Sequence, residues 1–92
     1  MIEILAVSGK KFNISLGSNP STGYRWEAIF DSSSLELVGK DYHSSSKAIG
    51  GGGVTELTFI PKTIGKMILE MRLKRPWESE AIKTIRYDII IS

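Results

Sequence analysis

The chain has 92 residues and not one cysteine. Disulfides, thiolate metal ligands and a cysteine nucleophile are therefore excluded, and an apolar core alone must hold the fold. This suits a reducing compartment. Histidine occurs once, as His43. A single imidazole without thiols offers no metal-ligand spacing, so no metal and no other cofactor is expected. Charge of one sign never accumulates. Twelve Lys and Arg stand against ten Asp and Glu, mixed along the chain for a net charge of +2, and the richest basic run is "RLKR", Arg72 to Arg75. A nucleic-acid footprint needs basic residues clustered on one face, so no nucleic-acid partner is expected. No stretch approaches the ~20 apolar residues that cross a bilayer, so no membrane partner is expected either. The opening "MIEILAVSGKK" has too short an apolar run, with its charges misplaced, for a secretory signal. The expected location is the cytoplasm or an intracellular vesicle.

What is present is ordinary globular material, 41% hydrophobic and 24% charged, in a length that fits one small domain over residues 1–92. A monomer is expected. The dominant period is two. "KMILEMRLK" sets Met67, Leu69, Met71 and Leu73 on one face, with Ile68, Glu70, Arg72 and Lys74 on the other. "IKTIRYDIII" does the same with Ile85, Tyr87, Ile89 and Ile91. "KFNISL" aligns Phe12, Ile14 and Leu16, "YRWEAIF" aligns Tyr24, Trp26, Ala28 and Phe30, and "ELTF" aligns Leu57 and Phe59. Residues 2–7 are nearly all apolar and form a first strand. "LELVGKDY" alternates weakly and reads as an edge strand. No helical pattern competes. About seven short strands at roughly regular spacing predict an all-β fold, an antiparallel sandwich.

In such a sandwich the connections alternate between two ends. The turns near Ser8-Gly9, residues 31–34 and residues 61–65 share one end and look like plain corners. The other end collects residues 17–23, 43–53 and 74–81, the three segments of oddest composition. Antibody variable domains likewise place their binding loops at one end of a sandwich.

The first of these loops, "NPSTGYRW", joins a turn to two aromatics. Asn19 and Pro20 set the turn, and Gly23 can take a positive φ where the chain re-enters a strand. The tip is then short and stiff with Ser21 and Thr22 outward, which serves equally for a tight corner or for a contact. The second loop carries Gly50, Gly51, Gly52 and Gly53 after a serine run. It reads either as a loose linker or as bare backbone that a partner can approach and pair with. The third carries Arg75-Pro76-Trp77-Glu78. Trp26 reads as a core residue, whereas Trp77 lies past the end of its alternating run, beside an Arg, in the manner of an interface anchor.

Taken together the three loops resemble the chagasin-type inhibitors of papain-like cysteine peptidases. That family shows N-P-T-T-G-[YF], G-x-G-G and R-P-W motifs in this order. Here they read Asn19-Pro20-Ser21-Thr22-Gly23-Tyr24, Gly50-Gly51-Gly52-Gly53 and Arg75-Pro76-Trp77, and the resemblance covers nearly the whole chain. Two departures stand out. Ser21 replaces the usual Thr, keeping the hydroxyl and losing a methyl, and the variable position of the second motif is Gly. The resemblance implies an immunoglobulin-like fold, no catalytic activity, and reversible, tight binding to a papain-like cysteine peptidase. It also implies roles: Ser21 and Thr22 over the catalytic Cys and His, the glycine loop along one side of the cleft, and Arg75 and Trp77 along the other.

Two other classes compete. An immunoglobulin-like adhesion or protein-binding module would use the same fold and loops but leave every peptidase untouched. An enzyme would need more than His43 with Asp41 two residues earlier, and none of the serines sits on a strained nucleophile turn such as G-x-S-x-G.

Overall fold

The computed structural model describes residues 2–19, 22–44 and 52–92. Their strands are β1 (Ile2–Ala6), β2 (Phe12–Ser18), β3 (Arg25–Ile29), β4 (Leu35–Ser44), β5 (Gly53–Pro61), β6 (Gly65–Lys74) and β7 (Lys83–Ile91). They make two sheets, one in the order β1-β7-β6-β3 and one in the order β2-β5-β4. Among the described residues there is no α-helix, and no helix long and apolar enough to cross a membrane.

The period-two pattern determines how these sheets face. Each strand buries one set of alternate residues, and the two apolar faces close on each other. Leu69 and Met71 of β6, Ile89 and Ile91 of β7, Leu57 and Phe59 of β5, and Ile14 and Leu16 of β2 form the centre, with Leu35 of β4 and Trp26 of β3. Phe59 is the aromatic hub. Phe12 stacks on it with ring centroids 5.6 Å apart, and Phe30 meets it edge-on at 5.7 Å. Leu73 and Ile85, placed on the core face by the alternation, pack against this centre while only partly buried.

Neighbouring strands are antiparallel with one exception. β1 runs parallel to β7, Ile4 opposite Ile89 and Ala6 opposite Ile91. An entirely antiparallel arrangement does not survive here. The apolar run of β1 fills an edge with one hydrogen-bonded neighbour, and Leu5 on its outer side is 77% exposed. β4 is also an edge, as its weak alternation predicts. Its register slips between Leu37 and Gly39, a bulge of the kind that protects an open edge from further pairing.

One end of the sandwich is tied by short bonds. Gly9 N–H donates to Pro61 O (2.8 Å) and Lys62 N–H to Ser34 O (2.9 Å). The Thr63 hydroxyl donates to Ser33 O (3.0 Å) and Lys62 Nζ to Ser32 O (3.2 Å). Asp31 Oδ1 accepts from both the backbone N–H and the hydroxyl of Ser33 (2.9 and 2.7 Å). Those two bonds hold the Asp31 carboxyl below its ordinary range. The three plain corners thus lie together, which sends the other three connections to the opposite end.

Candidate functional site

That opposite end is assembled from the bases of β2, β3, β5 and β6. The buried indole of Trp26, only 4% exposed, donates its Nε1–H to Gly17 O at 2.9 Å and fixes where the 17–24 segment leaves the core. The segment then closes on itself. Asn19 O accepts from Thr22 N–H (3.2 Å) and from the Thr22 hydroxyl (2.8 Å). Thr22 is exposed. With its proton directed at Asn19, its oxygen lone pairs remain as acceptors toward anything outside. Pro20 and Ser21, the other tip residues singled out from sequence, lie outside the described residues.

Gly23 turns the chain into β3 with φ +83. The positive φ favours glycine at this position, while a Cβ would stand 3.4 Å from Trp77 Cη2, in ordinary van der Waals contact with the indole.

The 74–81 segment is a tight turn. Glu78 N–H donates to Arg75 O at 3.0 Å, with Pro76 at the position where a fixed φ suits the turn. Lys74 Nζ donates to Glu78 O at 2.8 Å, and Ile82 N–H to Leu73 O (2.8 Å) closes the base. Trp77 is left at the crest, 74% exposed, in contact range of Gly23. Water-exposed indole is costly, and its placement against a neighbouring loop makes a platform rather than a loose side chain.

Arg75 joins the two turns. Its guanidinium carbon lies 4.4 Å from the Tyr24 ring centroid and 5.8 Å from that of Trp77. Its Nε–H donates to Thr22 O at 3.3 Å, and its Nη1 lies 3.7 Å from Glu78 Oε1. That carboxylate oxygen is buried and accepts no hydrogen bond among the described residues, so the guanidinium charge nearby is its polar partner. Tyr24, expected at the site as the last residue of the first motif, precedes β3 and is half-buried beneath the guanidinium, where it supports Arg75. No sequence signal marks that stack; a Tyr next to a turn glycine with an Arg beyond the next hairpin is a juxtaposition only the fold produces.

The third segment is described at its C-terminal end. Gly50 and Gly51 lie outside the described residues. Gly53 is the first residue of β5, paired with Ser18 on one side and Ser44 on the other. The place of its missing Cβ is filled by the His43 carbonyl and the Tyr42 ring, so packing within the sheet accounts for this glycine. Gly52, next to it, would bring a Cβ to 3.3 Å from Ser18 O. Gly17, Asn19, Thr22, Tyr24, Gly52 and Ile82 line one open depression between the segments. Asn19, Thr22, Gly23, Tyr24, Gly52, Gly53, Arg75, Pro76 and Trp77 therefore gather at a single end, as the alternation of connections requires.

Asp41 and His43 stand exposed on β4. Among the described residues no three His, Asp or Glu side chains converge on a point where a metal could sit.

Comparison with known proteins fits this geometry. The model of the chagasin family peptidase inhibitor I42 matches residues 6–91. Amoebiasin-2 of Entamoeba histolytica is 27% identical over 84 residues, 85% of this chain and 68% of that protein. The crystal structure of the cysteine protease inhibitor EhICP2 from Entamoeba histolytica superposes with a TM-score of 0.87 at 22% identity, covering 99% of this chain and 86% of the other. The structure of PbICP-C in complex with falcipain-2 gives 0.65 at 15% identity, covering 99% and 85%. At these identities the solved structures establish the fold.

Proposed function

The chain belongs to the chagasin family of peptidase inhibitors, and from that premise we propose that it blocks papain-like cysteine peptidases by seating the 19–24 and 75–78 turns, with the glycine segment beside them, in the active-site cleft. One observation carries the reading: Thr22, Gly52 and Trp77 share one end of the sandwich, and Trp77 is presented there at 74% exposure against Gly23. Membership of an inhibitor family removes the ground for a purely adhesive module, and the family consists of inhibitors rather than enzymes.

The chemistry of the target explains the shape. A cysteine peptidase cleaves an extended peptide whose carbonyl lies in line with its thiolate. A closed turn fills the same space without offering that carbonyl. The Thr22 oxygen, its proton already committed to Asn19, is suited to accept a hydrogen bond from the imidazolium that accompanies a catalytic thiolate. Trp77 supplies the rigid apolar area typical of an anchor. A loop end of this breadth can cover the ~800 Å² per partner of a standard interface.

Titration of papain with the purified protein tests the proposal. Loss of turnover in proportion to added inhibitor, reversed on dilution, is the expected result. Full activity at micromolar excess, across papain and several lysosomal-type cathepsins, would overturn it.

A further inference from the structure

The guanidinium of Arg75 is engaged by its own chain on its face and on two edges. Tyr24 lies against the face at 4.4 Å, Nε–H points at Thr22 O, and Nη1 faces the buried Glu78 oxygen. A planar guanidinium can stack and donate at the same time, and here both capacities are directed inward. The Tyr24 stack and the Nε–H bond to Thr22 O, rather than any outward donor, fix where the guanidinium sits. We infer that Arg75 is a positioning residue: it locks the 19–24 turn to the 75–78 turn in the free inhibitor, so that both meet the cleft as one rigid edge.

The reasoning is geometric. The first turn crosses from β2 in one sheet to β3 in the other, the second joins the paired strands β6 and β7, and β3 and β6 pair directly through Arg25 opposite Lys74 and Trp26 opposite Leu73. Beyond that last paired rung the backbones separate, and no ladder bond reaches Thr22 or Trp77. Arg75 spans the gap from the first residue past β6 to the Thr22 carbonyl and the Tyr24 ring. Gly23 lies within van der Waals reach of Trp77, so the first turn runs directly against the indole. The result is a three-layer contact, Tyr24, Arg75 and Trp77, that ties the hydroxyl tip to the indole platform. Loops already held in their bound arrangement lose less freedom on docking, so the stack acts on affinity without touching the target.

The inference uses the peptidase-inhibitor reading only for its binding readout; its other readout needs the inhibitor alone. Five proteins decide it: wild type, Arg75→Ala, Arg75→Lys, Tyr24→Ala and the Arg75→Ala/Tyr24→Ala double variant that completes the cycle. In the free proteins, NMR relaxation reports backbone order at Thr22, Gly23 and Trp77. The Arg75 Nε–H resonance of the wild type reports the stack through the upfield shift that the Tyr24 ring imposes. Arg75→Ala is expected to lower order in both turns while leaving the unfolding midpoint nearly unchanged. Arg75→Lys, which keeps the charge but loses the planar fork, is expected to resemble Ala. Against papain, Arg75→Ala should raise Kd about tenfold, but by less than about twofold when Tyr24 is already Ala, because the strut is then lost. Unchanged order at residues 22–24 in Arg75→Ala, or an undiminished Kd penalty in the Tyr24→Ala background, would overturn the inference; the latter marks Arg75 as a direct target contact. If wild type does not bind papain at all, the functional reading fails and the relaxation data still decide the strut.

Discussion

The two ends of this sandwich use similar residues for opposite purposes. At the 8–9, 31–34 and 62–64 corners, side-chain donors and acceptors close onto nearby backbone: Asp31 on Ser33, Thr63 on Ser33 O, Lys62 on Ser32 O. Ile64 projects from that end at 72% exposure. At the other end Trp77 is equally exposed, but it lies over Gly23 with Arg75 beside it and Tyr24 beneath that Arg. Exposure alone therefore does not distinguish the ends. Support does: an exposed ring braced from behind can bear a contact, and an isolated aliphatic chain over a turn is ordinary surface.

The two tryptophans offer the largest break in this comparison. Trp26→Ala should cost about 3–5 kcal/mol of folding stability, the range for truncating a buried aromatic, and would also release the Gly17 carbonyl that its indole binds. Denaturant unfolding measures it. Trp77→Ala should leave stability within a few tenths of a kcal/mol but weaken papain inhibition by roughly 1–3 kcal/mol, read from the inhibition constant. A Trp77 variant that unfolds while a Trp26 variant does not would reverse the assignment of core and platform. Gly23→Ala comes next. The φ of +83 should cost an alanine about 1 kcal/mol or more, felt in both stability and inhibition because the turn lies against the platform.

The smallest effect is expected at the plain end. Asp31→Asn should leave inhibition unchanged. Its effect on stability is present at neutral pH and disappears in acid. The folded-state pKa of Asp31 lies below its unfolded value because the Ser33 N–H and hydroxyl bond the charged form. Its contribution is therefore fully present above the unfolded carboxylate pKa of about 3.9 and is lost as pH falls through the lower folded value. Thermal melts at pH 7 and at pH 3 should converge for wild type and Asp31→Asn on the acid side. A change in papain inhibition by this variant would mean that the two ends are coupled, which their separation argues against.

Much of this architecture was legible in the chain. Alternation located the core faces of β2, β5, β6 and β7 because each of these strands has one side in the centre and one in water. It also predicted that three loops meet, since that follows from strand number and direction alone. It did not reveal that β1 lies parallel to β7. A nearly continuous apolar run carries no period from which to read a partner or a direction, and Leu5 looks like a core residue until the fold leaves its side of the edge open. At the site, motif and position identified Trp77 and Thr22. The inward use of Arg75 was hidden, because whether a guanidinium faces a partner or its own neighbour depends on a few ångströms of loop path. Gly53 was hidden for a related reason. Read as bare backbone for a partner, it is filled instead by Tyr42 and the His43 carbonyl of its own sheet.

The parallel pair at the sheet edge also bears on how the protein comes to be made. Ile4 finds its place only against Ile89, so during synthesis the first strand waits, greasy and single, until almost the whole chain has left the ribosome. Contacts this distant along the chain raise contact order and slow folding, and an unpaired apolar strand invites aggregation meanwhile. Covering that strand depends on the arrival of β7, the last strand of the chain.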